Sequence, residues 1–159
     1  MASSREAKGR KVEVSHVEIT TFCHATEDCI RVEESIKNLL PAELKTRVKI
    51  NEDKKDGYYG NPISILSLKI MDKQYIDLLI DHLAFKMDPI EKSILGATFD
   101  LRYDPRTGRF IVRCSKQDLY LGNIKISDTD DVIKLTIYLK NAKKKENAFE
   151  YLKSVGLIP

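Results

Sequence analysis

Five cations recur through one short stretch: Arg102, Arg106, Arg109, Arg113 and Lys116. Guanidinium groups meet phosphate oxygens in planar, two-pronged hydrogen bonds. A row of them along a rigid ribbon is spaced to touch successive phosphates of a nucleic acid strand. The same row also suits the solvated face of a sheet, where charges keep an edge from pairing with other chains. Gln117, next to Lys116, would reach sugars or bases.

The ribbon itself is a hairpin. Asp104-Pro105-Arg106-Thr107-Gly108 is turn chemistry, because proline presets φ and glycine accepts a positive φ. Before the turn, strand alternation would point Phe99, Leu101 and Tyr103 inward and Asp100 and Arg102 outward. After it, Phe110 and Val112 resume the inward row, with Ile111 and Arg113 opposite.

A second group with binding chemistry is Tyr58-Tyr59-Gly60-Asn61-Pro62, which follows the pair Lys54-Lys55. Aromatic rings beside positive charge are what a single-strand stacking site uses. The competing reading is a turn whose tyrosines cover a sheet edge. Lys143-Lys144-Lys145 opens a helix where the dipole favours carboxylates, so it reads as a phosphate contact or, more commonly, as a solvated lysine run.

Cys23-His24-Ala25-Thr26-Glu27-Asp28-Cys29 gathers thiols, an imidazole and carboxylates at a strand-to-helix corner. Zinc or a cysteine nucleophile would use such groups. The spacing fits no zinc pattern, His82 falls within a helix, and Cys114 stands alone. The plainer expectation is that Cys23 and Cys29 pack as small apolar residues while Thr26, Glu27 and Asp28 cap the helix. No phosphate-binding glycine loop and no nucleophile elbow is present. The sequence therefore offers no catalytic residues, no metal ligands and no cofactor motif.

Composition sets the frame. A chain of 159 residues that is 42% hydrophobic supports one buried core. Its 27 basic residues nearly match 24 acidic ones, leaving a net charge of +3, so only local clustering argues for a polyanionic partner. Three cysteines form no disulfide framework, and the N-terminus lacks the apolar core of a signal peptide, so a reducing cytoplasmic setting is expected. No apolar run approaches the roughly 20 residues of a membrane-spanning helix.

These groups are positioned by elements that periodicity predicts. Residues 1–11 read as a flexible basic tail and 12–159 as a single domain. Strands are expected over 12–22, 44–50, 63–70, near Ile124 and Ile126, and over 132–140, with the charged run 51–57 as a loop. In the third strand the apolar phase shifts between Ile65 and Leu66, which means a bulge or partly covered faces. Helices are expected from Thr26 to Pro41, after Asp72 with Ile76, Leu79, Ile80 and Leu83 inward, from a capping box at Asp88-Pro89-Ile90-Glu91 to Gly96, and over 143–155. Ser115 would cap one helical turn that carries Lys116 and Gln117 outward. The architecture expected is α+β: a mostly antiparallel sheet with two long helices and a C-terminal helix packed on one face.

Three segments together resemble a family of small archaeal proteins known as RNA-binding and as predicted exosome subunits, with a fold similar to ribosomal protein L5. They are Cys23-His24-Ala25-Thr26-Glu27-Asp28, then Gly57-Tyr58-Tyr59-Gly60-Asn61-Pro62-Ile63, and Arg113 with Lys116-Gln117 ahead of Gly122. The resemblance runs from about Val14 to the last helix. Where the family carries an acidic residue before the lysine-glutamine pair, this chain has Ser115. The resemblance implies RNA binding without catalysis and association with exosome or ribosome components. Against it stands a protein-interaction scaffold of an RNA-processing complex, and more remotely a metal- or thiol-dependent enzyme at Cys23, His24 and Cys29.

Overall fold

The computed structural model describes residues 11–57 and 60–159. One sheet of six antiparallel strands runs through them in the order β2-β3-β1-β6-β5-β4. The strands are β1 (Glu13–His24), β2 (Asn51–Asp56), β3 (Pro62–Ile70), β4 (Tyr103–Asp104), β5 (Arg109–Ser115) and β6 (Val132–Lys140). β1 and β6 are central, and both alternate apolar with polar residues, as strands with one covered face must.

Val17, Ile19, Leu66, Leu68, Phe110, Val112, Leu135 and Ile137 form the covered row. Helices α1 (Cys29–Lys37), α3 (Lys73–Lys86), α4 (Pro89–Ala97) and α7 (Lys145–Ser154) add Val32, Ile36, Leu79, Leu83, Leu95, Ala148 and Leu152 to the same buried cluster. Shorter helices are α2 (Ala42–Lys45), α5 (Phe99–Arg102) and α6 (Lys116–Tyr120). Fully burying a leucine- or isoleucine-sized side chain stabilises a fold by roughly 1.5–3 kcal/mol, so this continuous row dominates the energetics.

The structure moves several predicted elements. Leu44 lies in α2, begun by Pro41, and the charged run Asn51–Asp56 is itself a strand. β2 pairs only with β3 and is exposed at every residue, so nothing demands apolar side chains there and the charges guard an edge. Asp28, not Thr26, caps α1, its carboxylate accepting from the Ile30 N–H at 3.0 Å. Asp72 caps α3. Pro89 opens α4 at its first turn, but the capping box does not form, because Glu91 accepts instead from the Ile126 N–H at 2.7 Å. Ile126 itself makes an isolated bridge to Cys114 rather than lying in a strand.

The hairpin keeps its turn and loses most of its first strand. Phe99–Arg102 is helical, Leu101 is 87% exposed, and only Tyr103 and Asp104 pair across the turn. Phe99 and Tyr103 face inward in either conformation, since four residues suit both periods, and their rings stack at 5.2 Å. Leu101, exposed, and Arg102, buried, are the residues that separate the two readings. Gly108 carries the positive φ of the turn (77°), and a side chain there would strike the Leu139 carbonyl.

Candidate nucleic-acid interface

One face of the sheet is lined by the alternate residues of each strand. Apart from Thr136, none of these residues is buried. In register across it run His24 with Ile63, Phe22 with Ile65, Thr20 with Ser67 and Lys134, Glu18 with Lys69 and Thr136, and His16 with Tyr138. β5 continues the rows with Arg109 beside Tyr138, Ile111 beside Thr136 and Arg113 beside Lys134.

The end of this face nearest the hairpin turn is polar and internally bonded. His16 stacks on Tyr138 at 4.0 Å, and the neighbouring Glu18 carboxylate holds the Tyr138 phenol above its ordinary pKa. Partial burial and the nearby Lys69 ammonium push the His16 imidazole below its ordinary value. Arg109 touches the same tyrosine and hydrogen-bonds Thr107 Oγ1 at 3.1 Å.

The other end is a groove of about 560 Å³. Phe22, Ile65 and Val132 provide its apolar surface, and Thr20, His24, Arg113, Lys134, Thr129 and Asp130 its polar one. Phe22 is 53% exposed although it sits in a central strand. Arg113 and Lys134 are directly opposite each other, and among the described residues neither makes an ion pair. Like charges directly opposite across a sheet destabilise it. A bound anion would relieve that repulsion.

The predicted cations therefore divide. Arg109 and Arg113 lie on this open face, four residues or about 13 Å apart along β5. Arg106 is exposed in the turn, where its guanidinium pairs with Asp104 at 3.4 Å. Arg102 is buried, donating to Thr98 Oγ1 at 2.7 Å and pairing with Asp128 at 3.4 Å, so it does not stand in the outward row. Lys116 is turned inward too, not outward. Its ammonium donates to the Phe22 carbonyl at 2.8 Å and pairs with Glu27 at 3.2 Å and Asp131 at 3.0 Å. Gln117 is exposed beside it. Lys54 and Lys55 are exposed on β2, with Lys55 opposite Ile63 in the rows of the open face and Lys54 opposite Ser64 in the covered rows. Tyr58 and Tyr59 lie outside the described residues.

Lys116 is a strut. Glu27 also accepts from the His24 N–H at 3.0 Å, so one carboxylate ties the end of β1 to the start of α6. At the same corner Cys23 and Cys29 are joined in a disulfide, their Cα atoms 5.7 Å apart, rather than packing as free thiols. That pairing leaves no thiolate to bind metal or attack a substrate at this corner. Among the described residues no cluster of three or more potential metal ligands occurs. The remaining thiol, Cys114, is buried and its pKa is pushed up to about 12, chiefly by burial and then by the Glu91 charge.

Sequence reasoning missed Phe22 and Lys134 as residues of the open face and its groove. The signal was present in the apolar phase shift of β3. Its register with β1 runs without a break, so no bulge exists, and Ile63 and Ile65 are half-buried on the open face beside Phe22.

An antiparallel α+β sheet with one row uncovered and cations along it defines a class of surface on which extended polyanions can lie. A family model described as RNA binding matches residues 16–139, and the chain belongs to that family. It is 32% identical to RNA-binding protein PAB1135 of Pyrococcus abyssi over 139 residues, covering 87% of this chain and 90% of that protein. It is 28% identical to the uncharacterized protein MJ0213 of Methanocaldococcus jannaschii over 128 residues, covering 80% of this chain and 85% of that one. The fold is shared with protein AF2318 from Archaeglobus fulgidus, with a TM-score of 0.77 at 24% identity, covering 90% of this chain and 99% of that one. It is shared also with Mth689 from Methanothermobacter thermautotrophicus, with a TM-score of 0.72 at 20% identity, covering 90% and 98%. Among the described residues no helix is long and apolar enough to cross a membrane.

Proposed function

We propose that the chain binds RNA without catalysing a reaction on it, holding phosphates on the open sheet face through Arg109, Arg113 and Lys134, with Arg106 at the turn. The observation that carries this is the unpaired cationic couple Arg113–Lys134. Membership of the RNA-binding family supports it. Lys54, Lys55, Gln117 and the basic residues Arg5, Lys8, Arg10 and Lys11 ahead of the domain add contacts on this reading, and Tyr58 and Tyr59 approach sugars or bases.

The finer proposals are a single domain over 12–159 with an L5-like arrangement, an exosome- or ribosome-associated role, and a cytoplasmic location.

The test is a salt series of RNA affinity. Binding should fall linearly on logarithmic axes, and Arg113→Ala or Lys134→Ala should each reduce the slope by about 0.7–0.9. An affinity that does not change with salt overturns the proposal.

A further inference from the structure

We infer that the groove between Phe22 and the Arg113–Lys134 couple accepts one unpaired nucleotide, its base stacked on the Phe22 ring and its phosphate on the two cations. The inference rests on the RNA-binding reading and adds to it the form of RNA recognised: single-stranded rather than duplex.

Phe22 stands on a central strand, where a side chain is held by its neighbours and the backbone cannot drift. Its ring nonetheless presents 53% of its surface to solvent. Ile65, opposite in register, and Val132 flank it, giving an apolar surface on which a flat ring gains contact area. A base paired within a duplex hides both its faces in the stack, so only an unpaired base can lie on such a ring.

Position along the strands sets the rest. Lys134 is opposite Thr20, two residues from Phe22 on the same face, and Arg113 is opposite Lys134. Two residues of strand span about 7 Å, roughly the reach from a base to its own phosphate. Asp130, on the groove wall, is the one carboxylate among the described residues that line it. An acceptor repels phosphate and suits the amino group of a base, which places the base towards Phe22 and the phosphate towards the cations.

The backbone that carries the ring is also fixed. The Phe22 carbonyl accepts the Lys116 ammonium at 2.8 Å, and Lys116 is anchored by Glu27 and Asp131. Preorganisation of this kind lowers the entropy that binding must otherwise overcome. Lys116 is thus a positioning residue, placed under the platform rather than on it.

The experiment uses the full chain with three probes: single-stranded oligoadenylate, a perfect RNA duplex of the same length, and an abasic oligonucleotide. Phe22→Ala should weaken oligoadenylate binding about tenfold and leave the duplex and abasic affinities unchanged. The chain contains no tryptophan, so Phe22→Trp installs a single reporter in the groove. Its fluorescence should be quenched by oligoadenylate and not by the abasic strand. If Phe22→Ala weakens all three probes alike, or if the duplex binds as tightly as the single strand, the inference fails while RNA binding stands. If none of the probes binds in a salt-dependent way, both fail.

Discussion

Two pairs of basic residues in this protein have opposite fates. Arg102 and Lys116 are buried and matched to acceptors, Arg102 by Thr98 and Asp128, Lys116 by Glu27, Asp131 and the Phe22 carbonyl. Arg113 and Lys134 face each other on the open side of the sheet, with no carboxylate partner among the described residues. All four are ordinary cations in the sequence. The difference teaches that a basic residue's availability to a polyanion depends on which carboxylates the fold delivers to it. The buried pair holds the architecture, and the surface pair carries charge that the architecture leaves unbalanced.

The comparison breaks most visibly at Lys116. Replacing it by methionine keeps the length of the side chain but removes the cation paired with Glu27 and Asp131 and the ammonium donor to the Phe22 carbonyl. A loss of about 2–4 kcal/mol is expected, seen as a fall of about 5–15 °C in Tm. Glu27 and Asp131 are partly exposed, which keeps the loss below that of a fully buried pair. An unchanged Tm would mean that the strut is decorative.

The disulfide at the same corner comes next. Its cysteines are six residues apart, and opening a loop that short with reductant, or by Cys29→Ser, should cost about 2 kcal/mol in chemical denaturation. The surface pair should behave in the opposite manner. Arg113→Ser should leave stability within about 0.5 kcal/mol of the parent, on the stabilising side, because it removes a like-charge contact while it weakens RNA binding. A large destabilisation would show that Arg113 holds structure as Lys116 does.

The smallest effect concerns pH. His16 and His82 both have imidazole pKa values lowered in the folded protein, each chiefly by burial and then by nearby lysines, Lys69 for one and Lys86 and Lys45 for the other. The unfolded chain then binds more protons than the folded one below the ordinary imidazole value of about 6.5. Stability is fully present above that pH and declines as pH falls through it towards the lower folded values. His16→Asn with His82→Asn should flatten the Tm against pH profile in that window, and an unchanged slope would exclude the histidines as its cause.

Much of the fold could be read from local pattern. β1, β6, the Asp72 cap, the hairpin turn and the helix before Gly156 follow from alternation, capping and turn residues acting over four positions or fewer. The errors also have local causes. Leu44 lies on α2 because Pro41 starts a helix before any strand can form, and β2 could be entirely charged because an edge strand need bury nothing. Phe99 to Arg102 alternates like a strand, and the exposure of Leu101 together with the burial of Arg102 shows that it coils. The candidate interface was half legible: Arg109 and Arg113 fall on the outward row that alternation assigns them, whereas Phe22 and Lys134 become neighbours of that row only once the strands are paired.

By itself the sequence determined most of the strands and helices, the edge strand β2 and the start of the hairpin excepted, and which of their sides is apolar, because those properties arise between residues a few positions apart. It also determined that the cations around the hairpin outnumber the nearby acids. Only the tertiary structure decided which of them are spoken for. Lys116 and Glu27 are separated by 89 positions, yet their charged groups meet beneath Phe22, and Arg113 finds Lys134 only through the register of β5 on β6. Electrostatic partnership depends on distance in space, and spacing along the chain reports only local pairs such as Arg106 with Asp104.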